Sequence, residues 1–301
     1  MEIHQMSRPQ RATAKPAPRG GPTVMRILVG AQLRRLRRAS GTTPGQAARA
    51  IRASNAKISR MELGRVGFKE RDIADLLTLY GVTDPHHRET LLGMARQANA
   101  PGWWREYHDV LPSWFESYIG LEDAASVVRT FEVQFIPALL QTPDYARAVI
   151  KHRHKDATER EVEQRVAVRM RRQERLTGPD PLRLWAVVDE AALRRPFGGT
   201  KVLRGQIEHL IEITTMPNVT LQVLPFDRGG HSAAAGPFTI LRFESPDLPD
   251  VVYMEQLNSA AYLDKPAETE PYLRVMNALS VEAHSPARSR AFLERLLDGL
   301  G

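Results

Sequence analysis

Cysteine is absent from the 301 residues, which removes disulfides, thiolate metal sites and cysteine nucleophiles from consideration. That composition suits a reducing compartment. No uninterrupted apolar run approaches the roughly 20 residues needed to cross a bilayer. The first 24 residues also lack the apolar centre of a signal peptide. A cytoplasmic protein without a membrane partner is therefore expected. Missing as well are the GxxxxGK[ST] phosphate loop, the nucleophile elbow and a paired-histidine zinc spacing. His86 and His87 are adjacent, and His152 and His154 flank Arg153, so neither pair has the i, i+4 spacing that projects two imidazoles from one helical face. No catalytic residue, metal or cofactor is expected, and the chain does not read as an enzyme.

What is present is an uneven charge. Residues 1–82 carry 16 Lys/Arg against 5 Asp/Glu, a net of +11, whereas the remaining residues hold 26 against 30, a net of −4. A basic end on an otherwise mildly acidic chain points to a polyanion met at that end. The length suggests more than one domain. Residues 1–24, rich in Pro, Arg, Ala and Gly, read as a disordered basic arm able to add phosphate contacts.

From 25 to 99 the pattern is one of short helices. Val29, Leu33 and Leu36 recur at helical spacing, with Arg34, Arg35, Arg37 and Arg38 on the other faces. Thr43 and Pro44 suit the start of a second helix that buries Ala47, Ala48 and Ile51. Ser54 suits the cap of a third, with Ile58 and Met61 inward and Gly64 as its stop. Two more follow, one carrying Ile73, Leu76, Leu77 and Tyr80, the other running from about Pro85 to Asn99.

A small helix pair of this kind is a helix-turn-helix, whose second helix fits the major groove of double-stranded DNA, roughly 12 Å wide. On that reading Asn55 and Arg60 face base edges, Asn suiting adenine and Arg suiting guanine, with Ala56 and Ser59 contributing less. Gln46, Arg49, Lys57, Arg65 and Lys69 suit phosphates, which set register without reading sequence.

Residues 100–120 form an aromatic junction containing Trp103, Trp104, Tyr107, Trp114, Phe115 and Tyr118. The rings are expected to bury a seam between domains; exposed, they would form a partner site. Residues 121–301 alternate helix and strand. Helices are expected over Leu121 to Phe131, Pro143 to Lys151, Thr158 to Leu176, Val202 to Thr215, Glu268 to Leu279 and Pro286 to Leu297. Strands are expected over Leu182 to Val188, Thr220 to Leu224, Phe238 to Phe243 and Val251 to Leu257. The first two strands should be parallel and the later ones antiparallel. The fold class is thus multidomain: an all-α helix-turn-helix unit, then an α+β domain on a small mixed sheet.

Three residues are candidates for a ligand or partner loop in this second domain: Glu190 at the end of one predicted strand, Glu255 on another, and His231 in the glycine-rich stretch DRGGHSAAAGPF. The helix from Thr158 offers Val162, Val166 and Met170 as an apolar stripe. Arg165, Arg169, Arg171, Arg172 and Arg175 lie outside it, as an exposed face laced with ion pairs or as a second surface for DNA or an acidic partner.

The stretch LRRLRRASGTTPGQAARAIRASNAKISRMELGR resembles the Xre-type helix-turn-helix, with residues 26–83 covered. Two departures stand out: Pro44 occupies the place of the family's usual glutamine, and Arg52 that of its usual turn glycine. Further along, LLTLYGVTDP, GWWREYHDVLPSWFESYIGLEDAA, FIPALLQTPDYARAVI, RMRRQERL, LWAVVDEAALRRP, LQVLPF, GPFTILRF and VVYMEQL resemble the C-terminal domain of WhiJ-like actinobacterial, Streptomyces-type regulators. There Ala138 stands where a glycine is usual. The resemblance implies a transcription regulator, commonly a homodimer, often encoded beside a small protein in an antitoxin-like arrangement. The second domain would then serve dimerisation, that small partner, or an unknown small-molecule effector; the alternative is an antitoxin-like interaction module that neutralises the small partner and uses DNA binding to autoregulate its operon.

Overall fold

Gly21 and Pro22 set the start of the first helix, α1 (Pro22–Ala39), in a computed structural model that describes residues 21–233, 235–245 and 248–300. The arm expected over 1–24 falls outside the described residues up to position 20. Its end is corrected, because Pro22, Thr23 and Val24 already belong to α1. Pro at the first turn forfeits only an N–H that has no helical partner, and Val24 and Met25 are buried.

Four helices follow as the spacing predicts: α2 (Pro44–Ala50), α3 (Asn55–Glu62), α4 (Glu70–Leu79) and α5 (Pro85–Ala98). Leu28, Val29 and Leu33 of α1 meet Ala47, Ile58, Met61, Ile73, Leu76 and Leu77 in one core. Each large aliphatic side chain removed from water there contributes about 1.5–3 kcal/mol. The closest approach is at Gly30. A Cβ on it would lie 2.5 Å from the Met61 carbonyl oxygen, so α1 crosses the end of α3 where only glycine fits.

A 3-10 turn at Trp103–Tyr107 leads to α6 (Ser113–Ala124). Trp104 and Tyr118 are buried, as the junction reading requires, and Trp104 packs with Val110, Leu111, Ile119 and Val168. The other rings are only half-buried. Trp114, Phe115 and Tyr118 line a cavity open to solvent in place of a closed seam.

The remaining chain forms β1 (Val127–Glu132), α7 (Pro143–Arg153), α8 (Glu159–Gln173), β2 (Arg183–Asp189), α9 (Glu190–Arg194), α10 (Thr200–Ile213), β3 (Val219–Leu224), β4 (Phe238–Arg242), β5 (Val251–Glu255), β6 (Ala260–Leu263), α11 (Pro266–Glu282) and α12 (Pro286–Asp298). The six-stranded mixed sheet has the order β3-β2-β1-β4-β5-β6. β1, β2 and β3 are parallel, and the pairs from β1 through β4 and β5 to β6 are antiparallel. The helix expected over Leu121 to Phe131 is therefore corrected: α6 ends at Ala124 and Val127–Glu132 is an inner strand. Hydrogen bonding to β2 on one side and β4 on the other outweighs the helical look of the stretch.

Successive strand residues point to opposite faces. Val128, Leu184, Ala186, Leu221 and Leu241 face the layer that includes α10 and α12, whereas Phe131, Val187, Phe238, Ile240 and Val252 pack with Met276 and Leu279 of α11. Among the described residues no helix is long and apolar enough to cross a membrane.

Candidate nucleic-acid interface

The entry to α2 is held by a reciprocal cap. Thr43 Oγ1 accepts from the Gln46 backbone N–H at 3.2 Å, and Gln46 Oε1 accepts from the Thr43 N–H at 2.8 Å. Gln46 is thus bound through its oxygen, which leaves its NH2 as the group facing outward chemistry. The exit from α2 closes with the Ala53 N–H on the Ala48 oxygen at 2.8 Å and the Arg52 N–H on the Arg49 oxygen at 3.2 Å. That closure puts Arg52 at φ 52°, in the left-handed region. Glycine is the residue such a position favours, so the departure noticed at Arg52 falls on the conformation that explains the usual glycine.

Ser54 then caps α3, its hydroxyl accepting from the Lys57 N–H at 3.2 Å. The eight residues of α3 divide into two faces, as 3.6 residues per turn requires. Asn55, Ala56, Ser59 and Arg60 are exposed along one stripe. Lys57, Ile58, Met61 and Glu62 turn inward. Ile58 and Met61 enter the core. Glu62 receives a two-point ion pair from Arg37, at 2.5 Å from Nε and 3.0 Å from Nη2, and Arg37 also donates to the Thr42 carbonyl. This pair raises the Arg37 guanidinium above its ordinary value.

Lys57 Nζ donates to Asp72 Oδ2 at 2.6 Å, with Asp72 buried in the first turn of α4. Arg37 thereby ties α1 to α3 and does not lie on an outer face of α1. Lys57, expected at a phosphate, is paired with Asp72 while its side chain keeps 31% exposure.

The remaining expected contacts are exposed. Arg49, Arg65 and Lys69 lie at the surface, and Lys69 is also the residue preceding α4. Asn55 and Arg49 converge: a Cβ on Gly45 would lie 3.8 Å from Asn55 Oδ1 and 3.9 Å from Arg49 Nη1. The Asn55 amide and the Arg49 guanidinium thus flank one small residue at the start of α2. Such an edge can approach a polyanion closely, with the core ties keeping α3 in place behind it.

The three candidates in the second domain do not come together. Glu190 is buried at the start of α9, where Oε1 accepts from Arg194 at 2.6 Å and Oε2 from the Phe226 N–H at 2.9 Å. His231 accepts from the Ala233 N–H at 3.2 Å and sets its ring edge near Phe131, on the α11 side of the sheet. Glu255 lies at the end of β5 on an ion pair with Arg153 at 2.7 Å. Of the three only Glu255 borders the cavity. The sequence reading missed Arg165, Arg169 and Arg172 as inward-facing groups, because arginine-rich helical faces normally lie in solvent.

Residues 28–91 match the family model of a helix-turn-helix domain. Residues 115–295 match that of a domain of unknown function, DUF5753. No curated protein and no solved structure matches the chain.

Proposed function

The chain belongs to the DUF5753 family and carries a helix-turn-helix domain ahead of that region, and from this premise we propose that it is a sequence-specific regulator of transcription. The observation that carries the reading is the two-faced α3, with Asn55, Ala56, Ser59 and Arg60 exposed on a helix locked inward by Ile58, Met61 and two ion pairs. In this reading α3 lies in the major groove of double-stranded DNA. Asn55 and Arg60 read bases, Ala56 and Ser59 assist, and Gln46, Arg49, Arg65 and Lys69 hold phosphates. Pro44 removes the N–H and side chain that a glutamine would offer the backbone there, and Gln46 takes over that contact.

The protein acts without catalysis of its own, as a homodimer whose half-sites lie about 34 Å apart along the duplex. The likeness to WhiJ-like regulators adds a small protein encoded nearby as a partner. Selection of bound sequences from a random DNA pool, followed by footprinting, tests the proposal. A recurrent site with a few strongly preferred positions is expected. Binding that shows no base preference and vanishes with salt would remove the regulator reading.

A further inference from the structure

The DUF5753 region contains a cavity of about 970 Å³ between the sheet, α6 and α8. Its floor is one face of the sheet. Thr130 and Glu132 of β1, Thr239 of β4, and Tyr253 and Glu255 of β5 all line it, and the Thr130 and Thr239 hydroxyls meet at 2.9 Å. One wall is aromatic. Phe115 and Tyr118 on α6 stack at 5.5 Å with 16° between their planes, and Trp114 meets Phe115 edge-on. The volume lies in the range of sites that hold a drug-sized molecule.

A cationic wall adjoins the aromatic one, with the Arg172 guanidinium carbon 5.3 Å from the centroids of both the Phe115 and Tyr118 rings. Arg165, Arg169 and Arg172 follow one another at i, i+4 and i+7 on α8, which places them on one helical face. Arg172 is answered in full: Nε and Nη2 hold the two oxygens of Glu122 at 2.7 and 2.8 Å, and Tyr118 donates its hydroxyl to the same carboxylate. At the rim Arg153 is answered by Glu255.

Arg165 and Arg169 are not answered. Arg169 gives one N–H to Gln141 Oε1 at 2.7 Å and makes no ion pair with a described carboxylate, Glu255 and Glu132 acting on it only through longer-range charge. Arg165 makes no hydrogen bond or ion pair with any described residue, and its Nε is buried without a partner. Its electrostatic neighbours are Glu161, a turn earlier on α8, and Arg153. Burial lowers both guanidiniums, Arg169 to about 9; an arginine side chain keeps its charge at neutral pH in proteins. Glu132 lines the same cavity without an ion pair to either; burial first and the charge of Glu255 second push its carboxyl up to about 8, against the opposing pull of Arg153 and Arg169. Guanidiniums drawn partly out of solvent without a paired anion cost the fold stability, and a carboxylate, sulfonate or phosphate returns it through paired, charge-assisted hydrogen bonds.

We propose that this cavity binds a small organic anion built on a planar aromatic body, with Arg165 and Arg169 taking the charged group and the Phe115–Tyr118 stack taking the ring. The site is separate from the DNA-facing surface, and its test reads no DNA binding. Either assignment can therefore fail while the other stands.

Two dyes test it on the full chain. One is 8-anilinonaphthalene-1-sulfonate, an aromatic anion; the other is N-phenyl-1-naphthylamine, the same ring system without the charge. Fluorescence titration is expected to give one saturable site with the anion bound at least about tenfold more tightly, the ratio that charge-assisted hydrogen bonds supply. Joint substitution of Arg165→Met and Arg169→Met should abolish that preference while leaving the neutral dye bound, which shows that the cavity is still formed. Should the double variant lose both dyes, the single variants decide, each being expected to lower the preference at least about threefold. The proposal is overturned if the neutral dye binds the parent as tightly, if neither dye saturates, or if the preference survives in both single variants.

Discussion

Lys57 Nζ stands 2.6 Å from Asp72 Oδ2 and joins the start of the outward-facing helix to the start of the one behind it. The pair lies partly out of solvent, with side-chain exposures of 31% and 11%. Loss of Lys57 would leave a nearly buried carboxylate without its partner. Lys57→Met should lower stability by about 1–3 kcal/mol in a denaturant melt and weaken binding to all DNA sequences alike. The plot of log affinity against log salt should keep its slope, since no phosphate contact is lost. A slope smaller by about one counterion would instead reinstate Lys57 as a phosphate contact.

Arg60 stands on the exposed stripe and makes no ion pair with a described residue. Arg60→Ala is expected to reduce affinity for the selected site by about 1–3 kcal/mol and to relax preference at one base pair. Fold stability should change little. Competition binding against single-base variants of the site measures both effects, and undiminished discrimination at every position would displace Arg60 from the groove.

Arg52 holds a left-handed backbone conformation at φ 52°. Side chains with a Cβ pay about 1–2 kcal/mol there, so Arg52→Gly should raise stability by about 1 kcal/mol after the flexibility of glycine is allowed for. Arg52→Val should do the opposite, because branching at Cβ tightens the clash. Thermal melts of the two variants should straddle the parent; a shift in the same direction for both would dismiss backbone strain at this turn.

The pH dependence of stability should carry the mark of Glu132, whose carboxyl is pushed from 4.5 up to about 8. The native state keeps this proton where the unfolded chain has released it. Its contribution is therefore whole below about pH 4.5 and is lost as pH rises to about 8 and beyond. Glu132→Gln should match the parent in acid and exceed it in mild alkali, by on the order of 2–4 kcal/mol. Melts taken from about pH 5 to about pH 8.5 give the test. A gap between variant and parent that stays constant over that range would show that Glu132 titrates normally.

The helix-turn-helix was readable because every layer of its chemistry agrees. Thr43 and Ser54 cap, Ala47 and Ala48 permit a close crossing, and Ile58 and Met61 mark the inner face. Even the odd residue of the turn, Arg52, was visible as a replaced glycine. Less could be read where tertiary context decides. β1 has residues packed on both sheet faces, so the burial alternation of residues 127–130 breaks at Phe131 and is not mirrored by apolar residues in the sequence, which sit as easily on a helical wheel. Arg165, Arg169 and Arg172 looked like a solvated face because nothing local reveals that Glu122, 50 residues away from Arg172, lies opposite. Glu190 and His231 are near glycines and strand ends, which made them look like loop chemistry. Their hydrogen bonds are spent on the Phe226 and Ala233 backbones.

The early start of α1 bears on how freely the DNA-facing end could be exchanged between proteins. A Cβ on Gly120 would sit 2.2 Å from Thr23 Oγ1 and 3.0 Å from the Trp104 ring, so the first turn of α1 is seated directly on α6. α6 in turn supplies the aromatic wall of the cavity. A graft that cuts between α5 and the Trp103–Tyr107 turn would strip that seat away and leave the beginning of α1 uncovered. Recombination that preserves both halves must carry α6 with the helices before it, which makes the inheritable unit longer than the helix-turn-helix alone.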